Sequence, residues 1–477
     1  MPEIEEYAAA LATGRPAAEA LARFGEPEPA RAAAAIDRAL AQPALVASAP
    51  GWLAEALRTA RPAFAIEHLV AIAEADPSVL AAAPAAHLAR VLGNSTFLAR
   101  LLAARPDLAR ELAPESDGWP APPAPGEVAA DWPAIRDAKY RGLLRIAARD
   151  LGGRPFRAAL GELSDLADAC IAAGLARAAL ETEVAAPTIL ALGKLGGREL
   201  NWSSDVDLLF VYEAPPGIDA DYERNRGVAR LARAFATGIE ERGAHGFGYR
   251  TDLELRPEGP QGPLANSVDA ALSYYECFGA EWERQAMIRL RRVAGPSAAA
   301  DALLHGLEPF VWRKSLSTDA LRAVREMKHR IERERRDAGR DLEADLKEGP
   351  GGIRDVEFGT QALQLFLGGR DPSVRTGNVL DAIDALVRAG ALPEATAHAL
   401  TRGYLWLRRA EHAVQLDEER QSHAFPRDPR AQGALARRMG YRDDAIDRAR
   451  DRLLADWSAV RSEVRAHFEA LLPEKPR

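Results

Sequence analysis

Cysteine is nearly absent from this sequence: Cys170 and Cys277 are the two among 477 residues. Two cysteines build neither a disulfide framework nor a thiolate zinc site. Both are expected to be small buried apolar residues without a redox role. Also missing is any apolar run near the ~20 residues that a membrane span needs. The opening segment, "MPEIEEYAAA", is acidic and has no basic start, so it does not read as a secretory signal. The expected compartment is the cytoplasm, with no membrane contact. Excess positive charge is missing too. The formal net charge is -8, which argues against a dedicated nucleic-acid binder. A local basic cleft for nucleotides remains compatible with an acidic total.

Hydrophobic residues make up 47% of the chain and charged residues 28%, a composition that buries real cores. The length suits about three domains. Residues 1–112 are rich in Ala and Leu at helical spacing, with Ser or Asp starts and Pro stops. Residues 113–133 carry too much Pro and Gly for a helix or a central strand and read as a linker. Residues 134–312 hold a different texture. "APTILAL", "DVDLLFVY" and "YRTDLELRP" are strand candidates, with a long helical pattern between the last two. After Pro263 the pattern returns to helix and stays there. Residues 313–477 read as a helical bundle. The fold class expected is α+β: a small mixed sheet flanked by an N-terminal helical region and a C-terminal bundle, helical overall.

The chemistry concentrates in "ALGKLGGRELNWSSDVDLLFVYE", residues 191–213. Residues i and i+2 of a strand face the same side, so Asp205 and Asp207 project together. Two carboxylates this close repel unless a cation sits between them. Oxygen ligands suit Mg²⁺ or Mn²⁺, which complete their shells with substrate phosphates. The pair alone is equally consistent with a solvated strand end. Gly193, Gly196 and Gly197 precede it, and glycines let backbone N–H groups approach a phosphate. Lys194 and Arg198 add positive charge, and Ser203 and Ser204 add hydroxyls. The Gly-Lys-Ser/Thr ending of a P-loop is lacking.

On the third strand candidate, Asp252, Glu254 and Arg256 would share one face. A carboxylate there suits a second metal ligand or a general base, and Arg250 and Arg256 suit phosphate contacts. A salt-bridged exposed face is the alternative. In "LKEGPGGIRDVEF", Pro350, Gly351 and Gly352 form a tight turn before a helix. Free N–H groups at that helix start would hold an anion, with Lys347 and Arg354 beside them. Asp355 and Glu357 read as capping or ion-pairing groups. A packing turn between domains is the alternative for the whole segment.

The order strand, Leu-Gly-Lys, polar turn, Ser-Asp-x-Asp, later strand carboxylate resembles the DNA polymerase beta-like nucleotidyltransferase superfamily. "ALGKLGGRELNWSSDVDLLF", "YRTDLELRPEGPQGPL", "YYECFGAEWERQAMIRLR" and "DLKEGPGGIRDVEF" are similar to the glutamine synthetase adenylyltransferase/adenylyl-removing enzyme family. "QALQLFLGGRDPSVRTGN" and "YLWLRRAEHAVQLDEERQSHAFP" extend the likeness to about residue 426. Full-length members resemble two such halves in tandem, and this chain carries one. "ELNWSSDVDL", "GGRDPSVRT" and "LRRAEHAVQLDEERQSHAFP" look like the N-terminal half, which removes AMP from glutamine synthetase by phosphorolysis.

The resemblance implies Asp205, Asp207 and Asp252 as catalytic carboxylates and ligands of Mg²⁺ or Mn²⁺. It implies Gly193, Lys194, Gly196, Gly197, Arg198, Ser204, Arg256 and Arg354 as nucleotide-binding and phosphate-binding residues. The implied partners are adenylylated glutamine synthetase, a PII-type signal protein, inorganic phosphate and ADP. AMP transfer from ATP, or a regulatory module without turnover, are the alternatives. One departure stands out. Relatives read Asp-Leu-Arg-Leu-Arg-Pro where this chain has Glu254, which is either neutral, weakening to anion binding, or a replacement ligand.

Overall fold

The computed structural model describes residues 2–13, 21–22, 26, 28–113, 123–244, 246–314, 318–442 and 445–473. Its centre rests on two apolar runs. Strand β1 (Thr188–Ala191) and strand β2 (Val206–Tyr212) pair antiparallel, Thr188 opposite Val211 and Ala191 opposite Leu208. Ile189, Ala191, Leu208 and Phe210 face one core, and Leu190, Leu209 and Val211 face another. Burial on both faces is why these runs are continuously apolar rather than alternating.

Strands β3 (Thr251–Asp252) and β4 (Ala265–Ser267) both run parallel to β2, and β5 (Arg291–Ala294) runs antiparallel to β1. The sheet order is β3-β2-β1-β5, with β4 also paired to β2. Helix alone was expected after Pro263, and β4 and β5 correct that. "ANS" and "RRVA" are too short to show alternation, so pairing with β2 and β1, not local propensity, makes them strands. The third strand is also shorter than expected. After Asp252 the chain turns, and the Glu254 N–H donates to Asp252 Oδ1 at 2.8 Å. Asp252, Glu254 and Arg256 therefore share no face: Glu254 is exposed and Arg256 is buried.

Helices cover both faces of the sheet. α1 (Trp132–Leu151), α2 (Phe156–Thr182) and α3 (Ile218–Glu240) contribute to the first core, which continues into the N-terminal helices. α4 (Val268–Cys277), α5 (Glu281–Met287) and α6 (Ser297–Val311) contribute to the second. The C-terminal region is helical: α7 (Thr318–Asp337), α8 (Ile353–Gly368), α9 (Val379–Arg388), α10 (Glu394–Glu418), α11 (Pro429–Arg438) and α12 (Ile446–Leu471). A core of its own forms there around Tyr404, Leu407 and Leu453. The fold is α+β and predominantly helical, as expected. Of the Pro-rich segment, residues 114–122 lie outside the described residues. Among the described residues no helix is long and apolar enough to cross a membrane.

Cys170 is buried, as expected, but Cys277 is exposed. Tyr275 takes the inward position at the end of α4, and two residues further a helix faces away.

Asp417 ties three parts of the chain together. Arg61 reaches it at 2.6 and 2.7 Å, Arg438 at 2.6 Å and the Thr96 hydroxyl at 2.8 Å. Burial pushes this carboxyl up, yet Arg61 and Arg438 outweigh burial and hold it down at about 2. A carboxyl depressed in the fold adds stability above its unfolded pKa, lost as pH falls toward the folded one. Asp417→Asn is expected to lower stability at pH 7 by about 2 kcal/mol. In thermal unfolding across pH, the gap from wild type should narrow below about pH 4.

Candidate active site

Three carboxylates converge at the start of β2. Asp207 lies on the β2 face of Leu209 and Val211, and Asp205 shares its side. The parallel register sets Asp252 of β3 directly beside Asp207. Burial raises the Asp207 carboxyl, and the charges of Asp205 and Asp252 raise it further, to about 7. Lys347 and Lys194 pull in the opposite direction.

Gly193 makes this packing possible. Its φ is +52°, and a Cβ there would stand 2.0 Å from Asp207 Oδ2. The next residue back, Leu192, donates its N–H to the Asp207 carbonyl at 2.9 Å. The turn after β1 is thus laid directly against the aspartate, which only a glycine permits.

A cleft of about 530 Å³ opens over these groups. Leu255, Trp282, Met327, Ile331 and Phe358 give it an apolar side, and Arg289, Arg330, Lys347 and Arg354 bring positive charge. Of the residues expected at the site, Gly193, Lys194, Asp205, Asp207, Asp252 and Arg354 line the cleft. The others do not. Arg198 sits in a left-handed turn at φ 55° and pairs with Asp165. Arg256 donates to the carbonyls of Leu253, Pro260 and Gly262 at 2.6–3.1 Å, bracing its own loop. Arg250 likewise bonds Ser203. Gly196 and Gly197 are close-packing positions, where a Cβ would meet the Arg289 carbonyl at 2.1 Å and the Gly377 carbonyl at 2.8 Å. Ser204 is buried behind the cleft. Glu254 is exposed and does not line the cleft.

The helix start after "EGPGG" also differs from expectation. The N–H groups of Ile353, Arg354 and Asp355 donate to the carbonyls of Leu346, Lys347 and Gly352. Gly351 N–H donates to Asp355 Oδ2 at 2.8 Å. These donors are consumed within the turn and cannot grip an anion. Asp355 pairs with Lys328 at 2.9 Å, and Glu357 with Arg289 at 2.9 Å, in the ion-pairing roles expected of them.

Lys194 lines the cleft but is not free. Its Nζ lies 2.9 and 3.1 Å from the carboxylate of Glu411 on α10. Burial pulls Lys194 down to about 8 against the attraction of Glu411. Burial opposes ionisation of Glu411 as well, yet Lys194, His423 and Arg408 hold it well below its ordinary value. Asn201 and His423 also bond Glu411. Arg408 donates to Asn201 Oδ1 at 2.7 Å and to the Glu199 carbonyl. Sequence reasoning missed Glu411 and Arg408. Their signal was the density of charge in "LRRAEHAVQL" at helical positions that also carry the apolar core.

Among the described residues, no group of three or more His, Cys, Asp or Glu side chains is drawn together closely enough to hold a metal ion as it stands. The three aspartates form an open set of oxygen donors facing a cleft.

Residues 85–306 match the family model of glutamate-ammonia ligase adenylyltransferase. All three aspartates lie within this matched segment. Residues 322–472 match a second model, GlnD PII-uridylyltransferase. A bifunctional glutamine synthetase adenylyltransferase/adenylyl-removing enzyme of Xanthomonas oryzae pv. oryzae is 38% identical over 411 residues, covering 82% of this chain and 42% of that enzyme. Enzymes of the same description from Thioalkalivibrio sulfidiphilus and Stenotrophomonas maltophilia are 38% and 39% identical, over 75% and 81% of this chain and 39% and 42% of theirs. The chain therefore spans about two fifths of the length of the curated relatives it matches. The first matched segment supplies all three aspartates, and residues of α7, of the turn at Lys347 and of α8, in the second matched segment, close the cleft over them.

Removing one partner of a buried ion pair leaves the other charge stranded. Glu411→Gln is expected to destabilise the protein by about 3–5 kcal/mol. Adding Lys194→Met should recover more than about 1 kcal/mol of that loss. Urea unfolding of the four members of this cycle measures it, and strict additivity would exclude the coupling.

Proposed function

We propose that this chain removes AMP from a tyrosine of adenylylated glutamine synthetase by phosphorolysis, releasing ADP and the active synthetase. One observation supports this direction: two of the segments that resemble the removing half, and the residues just after the other one, pack on the loop before β2. Glu199 and Asn201 come from the first. Asn378, just after "GGRDPSVRT", donates to the Gly197 carbonyl at 3.1 Å, and Val379 N–H reaches Glu199 Oε1 at 3.3 Å. Arg408, Glu411 and Gln415 of the third grip Glu199, Asn201 and Ser203. Residues of the segments that resemble the removing half thus brace the loop that leads into Asp205 and Asp207.

Mg²⁺ or Mn²⁺ suits the donor set, because carboxylates offer only hard oxygen ligands. The repulsion that lifts Asp207 is relieved by positive charge. Asp205, Asp207 and Asp252 would hold the ion, and substrate phosphates would complete its shell, which is why the protein need not form a closed cage. Such an ion, when bound, stabilises charge on the attacking and leaving oxygens.

In the reaction, an oxygen of inorganic phosphate attacks the phosphorus of the tyrosyl-AMP ester. The bond from phosphorus to the tyrosine oxygen breaks. Tyrosine leaves as a phenolate, whose parent pKa of about 10 makes it a fair leaving group, and takes a proton from water. The apolar side of Leu255, Trp282 and Phe358 suits the adenine ring. A PII-type signal protein is the proposed regulator. AMP transfer from ATP would use the same aspartates in the opposite direction.

Adenylylated glutamine synthetase incubated with this chain should release ADP only when phosphate is present. Asp207→Ala and Asp205→Asn should each cut that release by about 100-fold or more, with thermal unfolding confirming intact folds. Full turnover in either variant would reject the site. Labelling of unmodified synthetase from ATP, with no phosphate-dependent release, would reject the direction.

A further inference from the structure

The cleft holds five side chains of positive charge: Lys194, Arg289, Arg330, Lys347 and Arg354. Three are committed to carboxylates. Lys194 is held by Glu411, Arg289 by Glu357 at 2.9 Å and Arg354 by Glu348 at 3.2 Å. Among the described residues, the Lys347 ammonium and the Arg330 guanidinium have no such partner. They differ in setting. Arg330 is exposed on α7, whereas Lys347 is half-buried, and its charge acts directly on Asp207, Lys194 and Glu357.

The backbone that carries Lys347 is closely built. Its N–H and that of Glu348 both donate to Asp345 Oδ1 at 2.8 Å. Leu346 N–H donates to the His423 carbonyl at 2.8 Å, and the buried Lys328 donates to the Glu348 carbonyl at 2.9 Å. Gly349, Gly351 and Gly352 each sit where a Cβ would come within 3 Å of a backbone carbonyl oxygen. A turn this constrained, with its amide donors satisfied internally, offers the cleft a positioned ammonium rather than a nest of N–H groups. An ammonium that lines the same cleft as three carboxylates, on a constrained backbone, yet paired with none, is placed for an anion that arrives with the substrate.

We propose that Lys347 binds a phosphate oxyanion of the reacting substrate, the role the sequence had assigned to Lys194, Arg198 and Arg256. Lys347 comes from the segment after α7, so the phosphate is held between the sheet and the C-terminal bundle. This rests on the phosphorolysis reading only for the identity of the phosphate, which is inorganic phosphate before reaction and part of ADP after it.

The test is calorimetric titration of the full chain with ADP and, separately, with adenosine. Lys347→Ala should weaken ADP binding by about 10- to 100-fold, the loss of one charge-assisted hydrogen bond, and leave adenosine binding unchanged. Lys347→Arg should restore most of the ADP affinity. In the turnover assay, Lys347→Ala should raise the KM for phosphate more than it lowers kcat. An unaltered ADP affinity, or an equal loss for ADP and adenosine, overturns the assignment. Because the titration needs no turnover, wild type that binds ADP but fails to release it from adenylylated synthetase would reject phosphorolysis while leaving the Lys347 result standing.

Discussion

The arrangement depends on one buried carboxylate. Glu411 is fully enclosed: Lys194 and Asn201 donate to it, His423 Nδ1 lies against it, and the Arg408 guanidinium stands 3.5 Å away. A carboxylate without water is held only by such partners. Three of its contacts matter for the site. Lys194 and Asn201 belong to the loop between β1 and β2, and His423 belongs to the strip whose carbonyl fixes Leu346, next to Lys347. One anion on α10 therefore sets both the loop that leads through Asp205 into β2 and the turn that carries Lys347. The loop itself is anchored on its apolar side by Leu195, Leu200 and Trp202, and Glu411 meets its polar side.

Charge is sorted by this packing. Three aspartates are left close enough to raise Asp207 to about 7, a state that favours binding of cations. Most basic side chains nearby are neutralised by carboxylates or capped by carbonyls, so the carboxylates of the cleft are not extinguished by intramolecular pairs. The tethering of Arg198 to Asp165 and of Arg256 to the 253–262 loop keeps the acidic end of the cleft available.

What was legible in the sequence was what local pattern encodes. β1 and β2 stand out because both their faces are buried, and Asp205 and Asp207 because they interrupt that burial with a spacing of two. Gly193 was legible as a close approach, though the group that approaches is the Asp207 carboxylate. Most helices of the bundle follow from their periodicity. The partners of the cations were not legible, for a different reason. Lys194, Arg198 and Arg256 are near the aspartates in sequence, but whether a cation is free depends on its partners, and those of Lys194 and Arg198 lie 217 and 33 residues away. The same applies to β4 and β5, which are strands only because β2 and β1 are beside them. At the start of α8, a glycine turn looked like an anion cradle, and the carbonyls that occupy its amides come from a fold-back of 346–349 that no periodicity reveals.

The division of the site between two matched segments has a physical consequence. Asp205, Asp207, Asp252 and Trp282 lie within residues 85–306, whereas Lys347, Arg354, Phe358 and Glu411 lie within 322–472. The first segment alone would carry Lys194 without Glu411 and Arg289 without Glu357. The second alone would carry a buried anion with nothing to ionise it but Arg408 and His423. Each segment thus leaves the other with an unpaired charge, and the cleft closes only where the two are packed. An active site built across such a junction is sensitive to any displacement of α10 relative to β2. Movement there would release Lys194, pull Asn201 from Glu411 and shift the backbone next to Lys347 together, because all three share the same carboxylate or its His423 partner.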